Sequence, residues 1–233
     1  MKKKIPHTGE LSWFLAVVLC SLSVCFSANS GFGVSMVVAP AYILYLEISR
    51  FLPWFTFGMS EYCLQGLLVI VCCIIMRRFK WKYPLAFGTA VCYGLCLDFW
   101  RLLFGTTVYP LMWQRCLSCA AGMLICAFAI ALFLRSYLPQ QAYELIVKEL
   151  TEKTGADMHK VKWIYDISSL AVAILLMLLF FHRFSFDQIG VGTLLVTVLN
   201  TPLIAMFGKL LDRFVSFDPA FPKFHDWFER IMN

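Results

Sequence analysis

PLAFGTAVCYGLCLDFWRLLF, from Pro84 to Phe104, and QIGVGTLLVTVLNTPLIAMFG, from Gln188 to Gly208, are apolar strings of equal length with a Gly-Thr pair at the same place, Gly88-Thr89 and Gly192-Thr193. Each is long enough to cross a hydrocarbon core as a helix, which takes roughly 20 residues. Working outward from this pair, four further apolar stretches appear: Leu11 to Ala28, Trp54 to Met76, Leu111 to Leu134 and Val161 to Phe181. The 233 residues are 61% hydrophobic with a mean hydropathy of +0.75, too apolar to pack inside one small soluble globule. The chain therefore reads as an integral membrane protein of six spanning helices.

A cut near Pro110 gives two halves with the same order of segments: span, shorter segment near a proline, span, polar turn, span with Gly-Thr. Aligned at the Gly-Thr pairs, Glu61-Tyr62 falls opposite Tyr165-Asp166. A one-residue gap matches Arg78-Phe79 with Arg183-Phe184, and a further small shift sets Pro40 and Tyr42 near Pro139 and Tyr143. Three crossings per half is an odd number, so the second half must be inverted, an arrangement found among membrane carriers. The expected fold is an all-α membrane protein with a 3+3 inverted repeat. Residues 1–109 form the first repeat, 110–211 the second and 212–233 a cytoplasmic tail.

Two shorter segments complete the pattern. Val34 to Ser49 is apolar but short and interrupted by Pro40, which reads as a half-helix or re-entrant segment. Gln141 to Thr154 has Ala142, Leu145, Ile146 and Leu150 on one face and charges elsewhere, which predicts an amphipathic helix on the cytoplasmic surface.

Lys and Arg set the orientation, because cytoplasmic loops carry their excess. With the N-terminus inside, sixteen of the twenty fall on the inner side, from Lys2–Lys4 through Arg77, Arg78, Lys80 and Lys82 to Lys223 and Arg230. Both termini are expected in the cytoplasm. The net charge of +6 is an orienting charge toward the lipid bilayer, with no nucleic-acid partner implied. The first span begins after three lysines and ends near small residues, as a signal peptide does. Its removal would destroy the match between halves, so it is read as a retained span.

Chemistry-bearing motifs are sparse. All ten cysteines lie in or beside apolar spans, and the Cys116/Cys119 CxxC spacing has no second pair, so helix packing accounts for them and no metal is expected. No phosphate-binding loop, nucleophile elbow or carboxylate pair points to an enzyme, and no cofactor or catalytic residue is expected.

Charged residues inside spans usually face a cavity or a partner. Glu61 and Gln65 share a helix face and could line a polar pocket, unless the span starts later and Glu61 is interfacial. Asp98 and Arg101 have the spacing of an internal ion pair, with a substrate or proton role for Asp98 as the alternative. Asp166 stands one turn from Lys162. Asn200, Thr201 and Pro202 mark a midspan kink or break, either a ligand site or a packed kink. The turn from Asn29 and Ser30 to Gly33 offers unpaired amides to an anion, or is a solvated loop. Gly88, Thr89, Gly192 and Thr193 suit close helix approach.

The stretches GFGVSMVVAPAYIL (Gly31 to Leu44), FGTAVCYGLCLD (Phe87 to Asp98) and IGVGTLLVTVLNTPLI (Ile189 to Ile204) resemble the YczE/YyaS/YitT group of bacterial integral membrane proteins, in its YczE-like branch. The resemblance runs from about Leu11 to Leu211. It implies a small multi-pass protein of the bacterial cytoplasmic membrane, without the soluble C-terminal domain of the YitT branch, and supplies no substrate or catalytic residue. Two functions remain open. One is a small-molecule carrier or exporter with Glu61 or Asp166 as a proton-coupling group. The other is a non-transporting membrane partner, either a substrate-binding subunit for a separate ATPase or a scaffold for another enzyme, docking through the cytoplasmic face.

Overall fold

A computed structural model describes residues 5–182 and 186–218. The expectations for Lys2–Lys4, for Arg183-Phe184 and for the tail beyond 218 lie outside the described residues. Among the described residues, eight helices follow one another: α1 (Gly9–Ser30), α2 (Ala39–Phe51), α3 (Phe57–Met76), α4 (Lys82–Phe104), α5 (Met112–Phe133), α6 (Ala142–Thr154), α7 (Met158–Phe181) and α8 (Val191–Phe214). Six of them, all but α2 and α6, are long and apolar enough to cross a membrane, and each overlaps one of the six apolar stretches, α8 running on past Gly208 to Phe214.

Local chemistry sets the boundaries. Thr8 and Thr56 cap α1 and α3 by accepting from the backbone N–H of Leu11 and Met59, which satisfies donors that a first helical turn leaves open. Gly31 ends α1 at φ 63, and Gly155 ends α6 at φ 65, a left-handed conformation that glycine adopts without a Cβ clash. Pro40 sits in the first turn of α2, where its missing N–H costs nothing.

Outside the helices, β1 (Ile5–Thr8) pairs in parallel with β2 (Val215–Asp218), Ile5 against Val215 and Thr8 against Asp218. This short pair joins the start of α1 to the end of α8, so both lie at one end of the bundle, termed here the terminal end. An even number of crossings follows.

The centre is the α1–α5 pair. Small residues let the two backbones approach: a Cβ on Gly122 would lie 3.0 Å from the Ser23 carbonyl oxygen, and the Ser118 hydroxyl donates to the Phe26 carbonyl at 2.8 Å. Around it α1 packs on α4 and α5 on α8, while α2 packs on α7 and α6 on α3. α3 and α4 are packed along each other, whereas α7 and α8 barely touch.

The two short helices differ from the sequence expectation in one important respect. α6 is buried at its start and along one side, and exposes only Lys148 and residues 152–154. Its first residues reach halfway across the bundle, where Gln141 contacts Cys20, twelfth of the 22 residues of α1, and Gln65, ninth of the 20 residues of α3. The chain enters from the terminal end after α5, with the Pro139 carbonyl accepting from Trp13 and Thr89, both at 3.0 Å. α6 then runs back toward that end, where Lys153 donates to the Ile75 carbonyl. From the opposite side, residues 31–38 dip inward before α2; the Val34 carbonyl accepts from Thr193 at 2.7 Å, and Val34 N–H donates to Gln188. Periodicity alone gives α6 an amphipathic face but does not say whether its polar side meets water or partners buried in the protein.

Candidate functional site

A cavity of about 540 Å³ lies between α7 and α8. Its floor is made by Cys20 and Val24 of α1, Tyr93 of α4, Cys126 of α5, residues 35–38, and Gln140, Gln141, Tyr143 and Glu144. The segments that precede α2 and open α6 thus both reach it. Lys162, Trp163 and Asp166 form the α7 wall; Val196, Thr197, Asn200, Thr201, Ile204 and Ala205 form the α8 wall; Arg135, Lys209 and Asp212 stand toward the terminal end.

Polar groups in this cavity are held unevenly. Arg135 grips Asp212 with two bonds of 2.7 and 2.6 Å, the forked geometry that gives such pairs their strength. Lys162 reaches Asp166 at 3.4 Å and Glu144 at 3.5 Å, long for charge-assisted bonds. Among the described residues, Asn200 Oδ1 has no hydrogen-bond partner. α8 runs unbroken through Pro202, so the expected break is absent; Pro202 lies within a helix whose neighbouring Asn200 and Thr201 line the cavity.

Glu61 and Gln65 are fully buried in the protein, yet neither lines the cavity. They hold the start of α6 behind its floor. Gln65 Oε1 accepts from the Ala142 N–H at 3.2 Å, its Nε2 donates to Gln141 Oε1 and to Glu61 Oε2, and Glu61 Oε2 accepts from the Tyr143 hydroxyl at 2.9 Å. The Gln65 amide oxygen answers one of the open donors of that first turn, and the Glu61 carboxyl ties down the Tyr143 side chain beside it. Glu61 Oε1 has no partner among the described residues.

Asp98 and Arg101 do not form the expected ion pair. Asp98 caps α3 from α4, accepting from the Thr56 hydroxyl at 2.6 Å and the Gly58 N–H at 2.8 Å. Arg101 instead donates to the Thr106 carbonyl and lies 5.4 and 5.5 Å from the Tyr45 and Phe57 ring centroids. The open donors at the start of α3 outcompete a neighbour on the same helix, because they fix the carboxylate through two directed bonds. Asp166 does pair with Lys162.

Asn29 and Ser30 lie at the far end of the bundle, away from the cavity. Asn29 Nδ2 donates to the Gly105 carbonyl and Ser30 Oγ to the Ser27 carbonyl. Arg115 occupies the turn as a cap, donating to the Ser30 and Gly31 carbonyls at 2.7 Å each, which suits a cation at a helix C-terminus. The Gly-Thr pairs are unequal too. Gly192 packs closely, its N–H donating to the Phe32 carbonyl at 2.8 Å, but a Cβ on Gly88 would meet nothing within 4 Å. Gly88 is therefore not a packing glycine; the close approach of α3 and α4 is at Gly58 and Gly94 instead.

Sequence reasoning missed Gln141, Tyr143 and Arg135. Their only signal was the position of Pro139 opposite the Pro40 segment. Also missed was Glu149, buried on α6 among Lys80, Lys82 and Tyr83, with the Tyr83 hydroxyl donating at 2.9 Å and Lys80 at 3.3 Å. Burial alone would raise its carboxyl, but bonds from Lys82, Tyr83 and Lys80 outweigh it and hold the group below its ordinary value.

No curated protein and no solved structure matches this chain. Residues 8–209 match the model of DUF6198, a family of unknown function, and a match over that much of a helical membrane-type chain means that it belongs to this family.

Proposed function

We propose that the chain is a small-molecule transporter of the bacterial cytoplasmic membrane, built as a 3+3 inverted repeat of residues 1–109 and 110–211, with the α7–α8 cavity as its solute site. One observation carries this: a re-entrant segment from each half reaches the same cavity floor, 35–38 from one side and 140–144 from the other. Irregular backbone at membrane depth is tolerated where protein buries it or a wet cavity receives it, and carriers hold ligands at such breaks. The packing supports the repeat. α1 on α4 answers α5 on α8, and α2 on α7 answers α6 on α3. Thr89 and Thr193, 104 positions apart, each donate to the re-entrant loop of the other half. Kinship with the YczE-like branch belongs to this proposal.

The surplus of Lys and Arg at the terminal end favours a cytoplasmic placement for that end and for the cavity mouth. A non-transporting partner role, as subunit of an ATPase or scaffold, would need that surface, where residues 77–79, Trp81, Lys148 and residues 152–160 are exposed while the start of α6 is buried. The carrier is favoured by the two segments that meet at the cavity floor. Its test is uptake by proteoliposomes from a broad labelled solute panel under proton and sodium gradients. Accumulation above protein-free vesicles is expected, slowed by Asn200→Leu at unchanged stability. Vesicles with folded, correctly inserted protein that move nothing would refute the proposal.

A further inference from the structure

The gap between α7 and α8 is written into the sequence. α3 and α4, their counterparts in the proposed repeat, close on each other at two glycines: a Cβ on Gly58 would lie 2.1 Å from the Gly94 carbonyl oxygen, and one on Gly94 2.7 Å from that of Gly58. At the 104-residue spacing of the Gly-Thr pairs, these positions are Lys162 and Val198. Neither permits that backbone approach, since small residues are what let helices meet closely in lipid. Asp98, which ties α4 to the start of α3, has Pro202 as its counterpart, a residue with no side-chain acceptor. The second pair of helices thus lacks the devices that shut the first.

The gap is lined in a manner that selects its occupant. Toward the terminal end stand Arg135, Lys162 and Lys209 with Glu144, Asp166 and Asp212, three cations and three acids, so both signs are present and sum to zero. Lys162, at 3.4 and 3.5 Å from its carboxylates, keeps donor capacity for a further anion, and Asn200 Oδ1 is unpartnered among the described residues. Alongside these groups the walls carry Trp163, Val196, Ile204 and Ala205, with Thr197 and Thr201 among them, a mostly apolar lining where α7 and α8 part.

We infer that the α7–α8 cavity binds a zwitterionic amphiphile, a molecule with an ammonium and an anionic group at one end and an apolar chain at the other, which enters sideways from the bilayer between the two helices. Lys162 and Asn200 receive the head, with Lys162 on its anion; Asp166 and Glu144 face its ammonium; the chain lies between α7 and α8. A purely anionic lipid would set like charge against Glu144 and Asp166, and a chainless zwitterion would leave the apolar gap unfilled. The inference rests on the transporter reading for the repeat, but its assay measures binding alone.

The test titrates purified protein in maltoside micelles with lysophosphatidylethanolamine, lysophosphatidylglycerol and glycerophosphoethanolamine at matched mole fraction, following the unfolding temperature, which a ligand of the folded state raises by mass action. Saturable stabilisation by the zwitterionic lysolipid is expected, with the anionic one about tenfold weaker and the chainless head without effect. Lys162→Met and the gap-filling Ala205→Trp should each weaken binding about tenfold. Ala205 is exposed, so its variant should keep the unliganded unfolding temperature and stay informative if Lys162→Met folds poorly. Equal binding of both lysolipids, binding of the chainless head as tight as the lysolipid, or indifference to Ala205→Trp overturns the inference. If neither lysolipid binds while proteoliposomes take up another solute, this inference falls and the transporter stands; if the lysolipid binds but nothing is moved, the reverse holds.

Discussion

Replacing Gln65 by Leu tests whether α6 is held at the middle of the bundle. Gln65 is fully buried, and its Oε1 is the acceptor for the Ala142 N–H at 3.2 Å, in the first turn of α6. Leucine keeps most of the volume but removes the acceptor, so an N–H is left open where no water reaches it. Such an orphan costs about 1 to 3 kcal/mol. Interhelical bonds in membranes average less, roughly 0.6 and up to about 1.7 kcal/mol, because the unfolded chain in lipid also finds partners. Gln65 also bonds Gln141 and Glu61, which lose a partner together, so a loss near 2 kcal/mol is expected, about thirtyfold in the opening equilibrium. Denaturant titration in mixed micelles gives the stability, and backbone hydrogen exchange followed by mass spectrometry localises it. Exchange across 141–147 should rise about thirtyfold, with α1 and α5 little changed. Leu67→Ala, on the exposed side of the same helix at 55% exposure, serves as the control. Wild-type stability and an unchanged 141–147 segment in Gln65→Leu would show that the buried N–H is satisfied elsewhere, and the account of α6 would fail.

Three further outcomes follow from the same geometry. Glu149 titrates below its ordinary value in the folded protein, so its stabilising effect is complete above the unfolded carboxylate range, about 4.3, and fades as pH drops through the lower folded value; unfolding midpoints from pH 7 to 3 should fall more steeply for wild type than for Glu149→Gln, and parallel curves would refute the cluster's role. Gly94→Val should lower stability by about 1 to 3 kcal/mol by forcing α3 and α4 apart, whereas Gly88→Ala, meeting nothing within 4 Å, should be neutral or stabilise by up to about 1 kcal/mol; equal effects in an unfolding titration would contradict the placement of the helix crossing. Asp98→Ala should cost about 0.5 to 2 kcal/mol as a lost cap while Asp98→Asn retains most of it, and a variant Arg101→Met as damaging as Asp98→Ala through the same region would revive the ion pair.

Part of the candidate site was legible in the residues themselves. Asp166 and Asn200 were marked by being polar inside apolar spans, and both line the cavity. Glu61, Gln65 and Asp98 carried the same signal but serve helix starts, because a buried first turn needs acceptors as much as a ligand does, and sequence shows the acceptor without its donor. Gly88 and Gly192 look alike in the string and differ in space, since one faces an open side and the other a carbonyl at the helix start.

By itself the sequence determined that six helices are long and apolar enough to cross a membrane, roughly where they lie, and that a short segment follows a proline in each half, because span length and hydropathy are local properties. Only the tertiary structure decided that the segments before α2 and at the start of α6 reach one cavity, that the start and one side of α6 are buried, and that α7 and α8 stay apart while α3 and α4 close. Those outcomes depend on which donor meets which acceptor across the bundle and on whether glycine or lysine stands at a crossing, and long-range partners leave no trace in local periodicity.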